Sequence, residues 1–364
     1  MRLDPFFSPR FAVMLNRRHR RAQWAAMLGG LVALLSSMPA PAESPSPATF
    51  VPLSGSVVRV EVDREHGGLS LGTGVTIAPS VVVTNCHVTR DGTAARIAGS
   101  GMLWEVSAQY ADTQHDLCFL RVPGWRGKPV VLGVTEGLHL GQRVAALGFT
   151  GGTGITLTFG RVLALHWLDA ANVVESDTGF TSGASGGGLF DATGSLVGLL
   201  TFRLRGSSES FYSLPVEWIR DRMPTEDQWT EVAPLRGAHP FWQADTEALP
   251  YFMRAPLLDA DGQWDALLEL SGRWTSAYPK DAEPLLVRGR ALQKLNRPRA
   301  AVVAFAGALR LTPDDPVAWH GLALAYASLG DDVALRGVEA KLGALSECLA
   351  AVLKARLAQM QDAK

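Results

Sequence analysis

Cysteine is scarce in this chain: Cys86, Cys118 and Cys348 are the only three in 364 residues. With the eight histidines scattered, no zinc-ligand spacing forms, and nothing in the sequence calls for a metal or another cofactor. A long apolar run is missing too. The stretch Trp24 to Leu35 is broken by Gly29 and Gly30 and falls short of the ~20 residues of a membrane span. Strong charge of one sign is absent, with a net of −1. Residues 1–42 hold six arginines against Asp4, leaving 28 basic and 34 acidic residues in the remainder. That balance gives no support to nucleic-acid binding. Hydrophobic residues at 47% and charged residues at 19% exclude a disordered chain, and the length suffices for two domains.

The basic cluster at the start reads as targeting. Arg17-Arg18-His19-Arg20-Arg21, the short apolar run and Ala40-Pro41-Ala42 have the layout of a secretory signal peptide over 1–42, cut after Ala42. Met14 is an alternative start and an uncleaved anchor an alternative fate; in both cases the body of the protein lies outside the cytoplasm. A Pro/Ser/Ala linker follows at 43–51. From 52 to 222 short β-branched runs alternate with glycines: Val57–Val62, Gly72–Ile77, Val81–Thr84, Gln142–Leu147, Ile155–Thr158 and Ser195–Leu200. This texture predicts an all-β sandwich or barrel. The segment 223–260, with its prolines and tryptophans, reads as an ordered connector.

Residues 261–364 are Ala/Leu-rich, helical and internally repeated. Pro279 and Pro313 lie 34 residues apart, as do Leu285 and Trp319, Gly289 and Ala323, and Leu292 and Tyr326. Gly289, Leu292, Ala301, Phe305, Ala308 and Pro313 follow the small and large positions of a tetratricopeptide repeat, in which small residues let paired helices approach. An ordinary helical bundle is the alternative. Two clear units fall below the ~3 needed for independent stability, so the arm is expected to lean on the β domain or on a partner.

Three motifs carry chemistry. Thr84-Asn85-Cys86-His87 ends a strand; His115-Asp116-Leu117-Cys118 leads an acid into an apolar strand; Gly183-Ala184-Ser185-Gly186-Gly187-Gly188 surrounds a serine with glycines. Acyl transfer needs a nucleophile, a base and a group that orients the base. Ser185, His87 and Asp116 supply one of each. The flanking glycines let the amides of Gly183 and Ser185 converge on a developing oxyanion. If His87 and Asp116 hydrogen-bond, Cys86 and Cys118 lie close behind them, and an oxidising compartment predicts a disulfide between them; two reduced buried thiols are the alternative.

On these motifs residues 52–222 resemble the trypsin-like serine proteases, in particular the periplasmic Deg (HtrA) branch. Gly141–Gly148, Glu175–Gly179, Gly194–Leu199 and Ser210–Pro215 are similar to that family's strands around the nucleophile loop. The resemblance implies two six-stranded antiparallel β-barrels with the triad in the cleft between them, acting on protein or peptide substrates outside the cytoplasm. It implies that Gly179 floors the primary specificity pocket, where the lack of a charge removes the basis for a Lys or Arg preference. It also implies that Thr201, Phe202 and Arg203 form the edge strand that pairs with substrate. The sequence departs from the family in having helical repeats where a PDZ-like module would follow. The expected function is a serine endopeptidase whose repeats dock a substrate or protein partner. The alternative is a latent or non-proteolytic assembly factor working through the repeats.

Overall fold

The computed structural model describes residues 47–152, 154–204 and 210–362. The expected signal peptide, its expected cut after Ala42 and the first part of the expected linker lie outside the described residues. From Pro47 the chain is anchored: Pro47–Phe50 (α1) is a helical turn, and Phe50, 1% exposed, meets Phe159 edge to face at 5.7 Å.

Seven strands follow: β1 (Val57–Arg64), β2 (Leu69–Ala78), β3 (Val81–Thr84), β4 (Gly92–Gly99), β5 (Met102–Glu105), β6 (Ala108–Asp112) and β7 (Leu117–Arg121), with one helical turn, α2 (Cys86–Thr89), after β3. They form one sheet in the order β5-β4-β1-β2-β3-β7-β6. Apolar residues on both faces explain why these strands read as nearly continuous β-branched runs. Val58, Val60 and Val62 pack with Val82, Ile97 and Leu120, while Val57, Val75, Val83 and Phe119 face the second half of the domain. Each such side chain contributes about 1.5–3 kcal/mol on full burial. Only Val106 and Ser107 separate β5 from β6, the strands at the two edges of this sheet. The chain over 102–112 therefore pairs with β4 at one end and β7 at the other, and the six-stranded barrel expected from the resemblance is retained. Val106 N–H to Ala95 O and Ser107 N–H to Arg121 O, both 2.9 Å, continue the β4–β5 and β6–β7 ladders into the bend between them. β4 and β5 are joined by a tight hairpin whose two loop residues, Ser100 and Gly101, both have positive φ.

The second half is a closed six-stranded barrel. It comprises β8 (Arg143–Thr150), β9 (Gly154–Leu168), β10 (Ala171–Ser176), β11 (Gly188–Phe190), β12 (Leu196–Leu204) and β13 (Ser210–Pro215), in the order β10-β13-β12-β11-β8-β9. Val144, Ala146, Val162, Val174, Leu189 and Val197 fill its interior. Leu147, Phe190, Leu199 and Leu214 join the layer facing the first sheet. A short helix, α3 (Val216–Asp221), follows.

The connector then runs back along the first sheet. Thr230 pairs with Gln109 of β6, Arg121 holds Glu226 at 2.6 and 2.7 Å, and Leu235 N–H donates to Arg90 O at 2.7 Å. It crosses to the second barrel at Phe241 and Trp242.

Seven helices complete the chain: α4 (Tyr251–Ala260), α5 (Trp264–Ala277), α6 (Glu283–Lys294), α7 (Pro298–Leu311), α8 (Pro316–Leu329), α9 (Asp332–Leu345) and α10 (Glu347–Asp362). From α4 to α10 each packs on the next. The helical part thus begins at Tyr251, ten residues before the expected 261; Pro256 inside α4 hides that helix in the sequence. Met253, Leu267, Leu270 and Trp274 share a core with Val173, Tyr212 and Leu214 of the second barrel. Residues 44–364 form one compact unit. Among the described residues no helix is long and apolar enough to cross a membrane.

Candidate active site

Where β3 ends, Asn85 opens the turn α2 and puts His87 at its second position. Opposite, the β6–β7 turn carries Asp116 in a left-handed conformation (φ 57°), a backbone state that Asp and Asn tolerate better than most residues. Two hydrogen bonds join the motifs at once. His87 N–H donates to Asp116 Oδ1 at 2.8 Å, and His87 Nδ1 lies 2.7 Å from Asp116 Oδ2. A carboxylate only accepts, so Nδ1 carries the hydrogen and Nε2 is the free face of the ring. Asp116 is fully buried and His87 keeps 23% of its side chain exposed. Cys86 and Cys118 are bonded behind the pair, with their Cα atoms 4.8 Å apart. Cys348 is an exposed free thiol.

The serine loop is stitched to the first sheet by Thr73 of β2. Thr73 N–H donates to Ser185 O at 2.8 Å, and its hydroxyl donates to Gly183 O at 2.7 Å while accepting from Phe149 N–H at 2.9 Å. Thr84, three residues before His87, donates its hydroxyl to Thr73 O at 2.6 Å. A Cβ on Gly186 would lie 3.1 Å from Asn85 N. The loop around Ser185 is thereby held against the residues that lead into His87. Ser185 Oγ itself makes no hydrogen bond among the described residues, an open geometry common before substrate binds.

Gly183 (φ 94°) and Gly186 (φ 84°) supply the backbone turns around this serine. Ser182 O, the carbonyl before Gly183, accepts from Gly151 N–H at 2.8 Å. The amides of Gly183 and Ser185 have no acceptor among the described residues, which suits them to an arriving anion. Gly179 (φ 62°) has open space where a side chain would project, and its carbonyl accepts from Thr158 at 3.1 Å.

On β12, Leu200 still bonds to Gly186 and Gly187; beyond it Thr201 sits at a bulge, and Phe202 and Arg203 pair only with β13 among the described residues, leaving one edge free. Thr201 is buried and accepts from Asn85 Nδ2 at 3.1 Å; Arg203 is exposed. Phe202 is buried between Tyr212 and Trp242.

Three residues here escaped sequence reading. Thr73, flanked by glycines inside a strand pattern, left the faint signal of a site where another backbone approaches closely. Asn85, inside the His87 motif, donates to both Asp116 O and Thr201. Trp242 left no signal: its indole N–H donates to Asp116 Oδ2 at 3.2 Å from a segment with no motif.

A closed β-barrel packed on a curled sheet, with a His–Asp pair and a glycine-rich serine loop at their junction, defines a trypsin-like peptidase fold. Residues 72–199 match the family of trypsin-like peptidase domains. Residues 72–199 thus carry a trypsin-like peptidase domain, and the chain has homologues in the Deg/HtrA family. It is 30% identical over 152 residues to the chloroplastic Protease Do-like 1 of Arabidopsis thaliana, covering 38% of this chain and 35% of that protein. Identity to the periplasmic serine endoprotease DegP of Salmonella typhimurium is 28% over 142 residues, 36% of this chain and 30% of that one. An anti-sigma-I factor of Acetivibrio thermocellus is 27% identical over 194 residues, 50% of this chain and 27% of that protein. The chain spans about a third of the length of these relatives. Among solved structures, the active form of a protease from M. tuberculosis is 23% identical with a TM-score of 0.47, covering 56% of this chain and 96% of that one.

Proposed function

We propose that this chain is a serine endopeptidase that cleaves protein or peptide substrates outside the cytoplasm through an acyl-enzyme. The observation that carries this reading is the buried Asp116 carboxylate holding Nδ1 of His87 at 2.7 Å, beside a serine loop whose two amides are unpartnered. In this reading Ser185 Oγ attacks the scissile carbonyl and His87 Nε2 accepts its proton, then returns it to the leaving amine. Asp116 fixes the ring and stabilises the imidazolium. The Gly183 and Ser185 amides bind the oxyanion, each such donor being worth about 3–4 kcal/mol in the transition state. The free edge of Thr201–Arg203 takes the substrate backbone as an added strand, and the attacked residue's side chain enters the space beside Gly179.

The Cys86–Cys118 bond suits an oxidising compartment such as the periplasm. Closing a loop with 32 residues of separation stabilises the fold by about 3–4 kcal/mol in the chain-entropy picture. The signal peptide over 1–42, the protease domain over 52–222 and a tetratricopeptide-like arm that docks a substrate or protein partner belong to the same proposal; the arm's role rests on analogy with repeat surfaces.

A fluorophosphonate probe on the purified protein tests the chemistry. Labelling of wild type that disappears in Ser185→Ala supports the peptidase. A folded wild type that stays unlabelled, with substrate peptide or without, points instead to an assembly factor acting through its helices.

A further inference from the structure

Trp242 is held between the proposed base and the proposed substrate strand by residues outside both. The segment leading into it is tied down twice: Arg90 Nη2 donates to Ala238 O at 2.8 Å, and Phe241 N–H donates to Gln114 O at 3.0 Å. The indole stands edge-on to the His87 ring (centroids 5.5 Å apart, 87° between planes). It lies parallel on Phe202 at 5.2 Å, and Phe202 in turn lies on Tyr212 at 4.8 Å. Its N–H reaches the same Asp116 oxygen that holds His87 Nδ1.

We infer that Trp242 is both a specificity-determining and a positioning residue of this site, an inference that rests on the peptidase reading above. An extended substrate alternates its side chains. If the attacked residue points toward Gly179, the residue before it points to the opposite side, where His87, Trp242 and Phe202 stand. The indole walls that position, so the enzyme takes peptides with a small residue, Gly, Ala or Ser, immediately before the attacked one and rejects Leu and Phe there. The N–H, acting through Asp116, sets the carboxylate that orients the imidazole.

The test is cleavage-site profiling of a denatured proteome by mass spectrometry with the full chain, alongside fluorophosphonate labelling. Wild type is expected to favour small over bulky residues at that position by tenfold or more, a size of discrimination ordinary for a pocket wall. Trp242→Ala is expected to erase the bias, shifting the ratio of Leu to Gly at least tenfold. Trp242→Phe keeps a ring but loses the donor; on a peptide with Gly at that position it should lower kcat about tenfold with KM and the melting temperature little changed. A purely structural tryptophan would move the melting temperature and spare the split between kcat and KM. A wild type that labels at Ser185 yet accepts small and bulky residues alike immediately before the attacked one overturns the inference and leaves the peptidase standing, as does a folded Trp242→Ala with an unchanged profile. Should Trp242→Ala not fold, the wild-type profile and Trp242→Phe decide. A wild type that never labels or cleaves removes the peptidase reading and this inference together.

Discussion

At Asp116 the backbone and the side chain have separate tasks. The left-handed φ of 57° closes the β6–β7 turn, and the carboxylate accepts from His87 N–H, His87 Nδ1 and Trp242 Nε1. Asn is the replacement that separates the two, because it tolerates the same backbone and has nearly the same shape. Asp116→Asn should therefore fold with an unchanged melting temperature while kcat falls by about 10⁴-fold, since the amide favours the wrong imidazole tautomer. Steady-state kinetics beside a thermal melt check this. His87, Asp116 and Ser185 were legible because each sits in a short run whose neighbours serve the same chemistry: the strand before the base, the apolar strand after the acid, the glycines around the nucleophile. Thr73 and Trp242 were not, since what makes them part of the site is which distant residue they touch. Thr73 reaches Gly183 and Ser185 across more than a hundred residues.

Among the elements, the helices of the arm show how a repeat pattern becomes packing. Phe305 of α7 inserts between Gly289 of α6 and Gly321 of α8; a Cβ on Gly289 would lie 2.6 Å from its ring, and one on Gly321 would overlap it. Phe305 is 3% exposed, so the ring has little room to yield. Gly321→Ala should cost about 1–3 kcal/mol by overpacking, despite alanine's better helix propensity. Urea unfolding measures this; a stabilised variant would mean that α8 shifts freely on α7. The 34-residue spacing revealed α6 to α9 because small and large residues recur there. It missed α4, whose Pro256 breaks the pattern and whose Phe252, Met253 and Ala255 are buried partly against the barrel. β5 left no signal for a different reason: it is four residues long, and of these only Trp104 is not exposed.

Across the whole molecule, the arm is latched to the second barrel by a buried histidine. His166 of β9 lies between Glu175 of β10 (2.9 Å) and Glu283 of α6 (2.9 Å) and stacks on Phe252 at 4.4 Å. Burial alone would lower its pKa; the two carboxylates override this and raise it to about 10. Burial would likewise raise Glu175, and its bonds to His166 hold it below the usual carboxylate range instead. Protons bound more tightly in the folded state stabilise it at low pH. The histidine's contribution is therefore complete below about 6.5, its unfolded value, and fades as pH rises toward about 10. The depressed Glu175 adds the opposite limb, losing its contribution as pH falls below its unfolded value. Thermal melts of wild type and His166→Gln should differ most near pH 6 and converge toward pH 10. A gap that widens with rising pH would rule out a charged latch. From Phe252 through His166, Tyr212, Phe202 and Trp242, ring contacts run unbroken from the arm to His87.

By itself the sequence determined the class of fold, the motifs around the three residues proposed for acyl transfer and the helical texture of the arm, because alternation, glycine-flanked turns and helical spacing act over a few neighbouring residues. Only the tertiary structure decided that the connector comes back to roof His87, that Thr73 ties the serine loop to the first sheet, and that a histidine locks the arm to the barrel. Each of these is a contact between segments dozens to more than a hundred residues apart, and such contacts depend on how whole sheets and helices stack rather than on any local pattern.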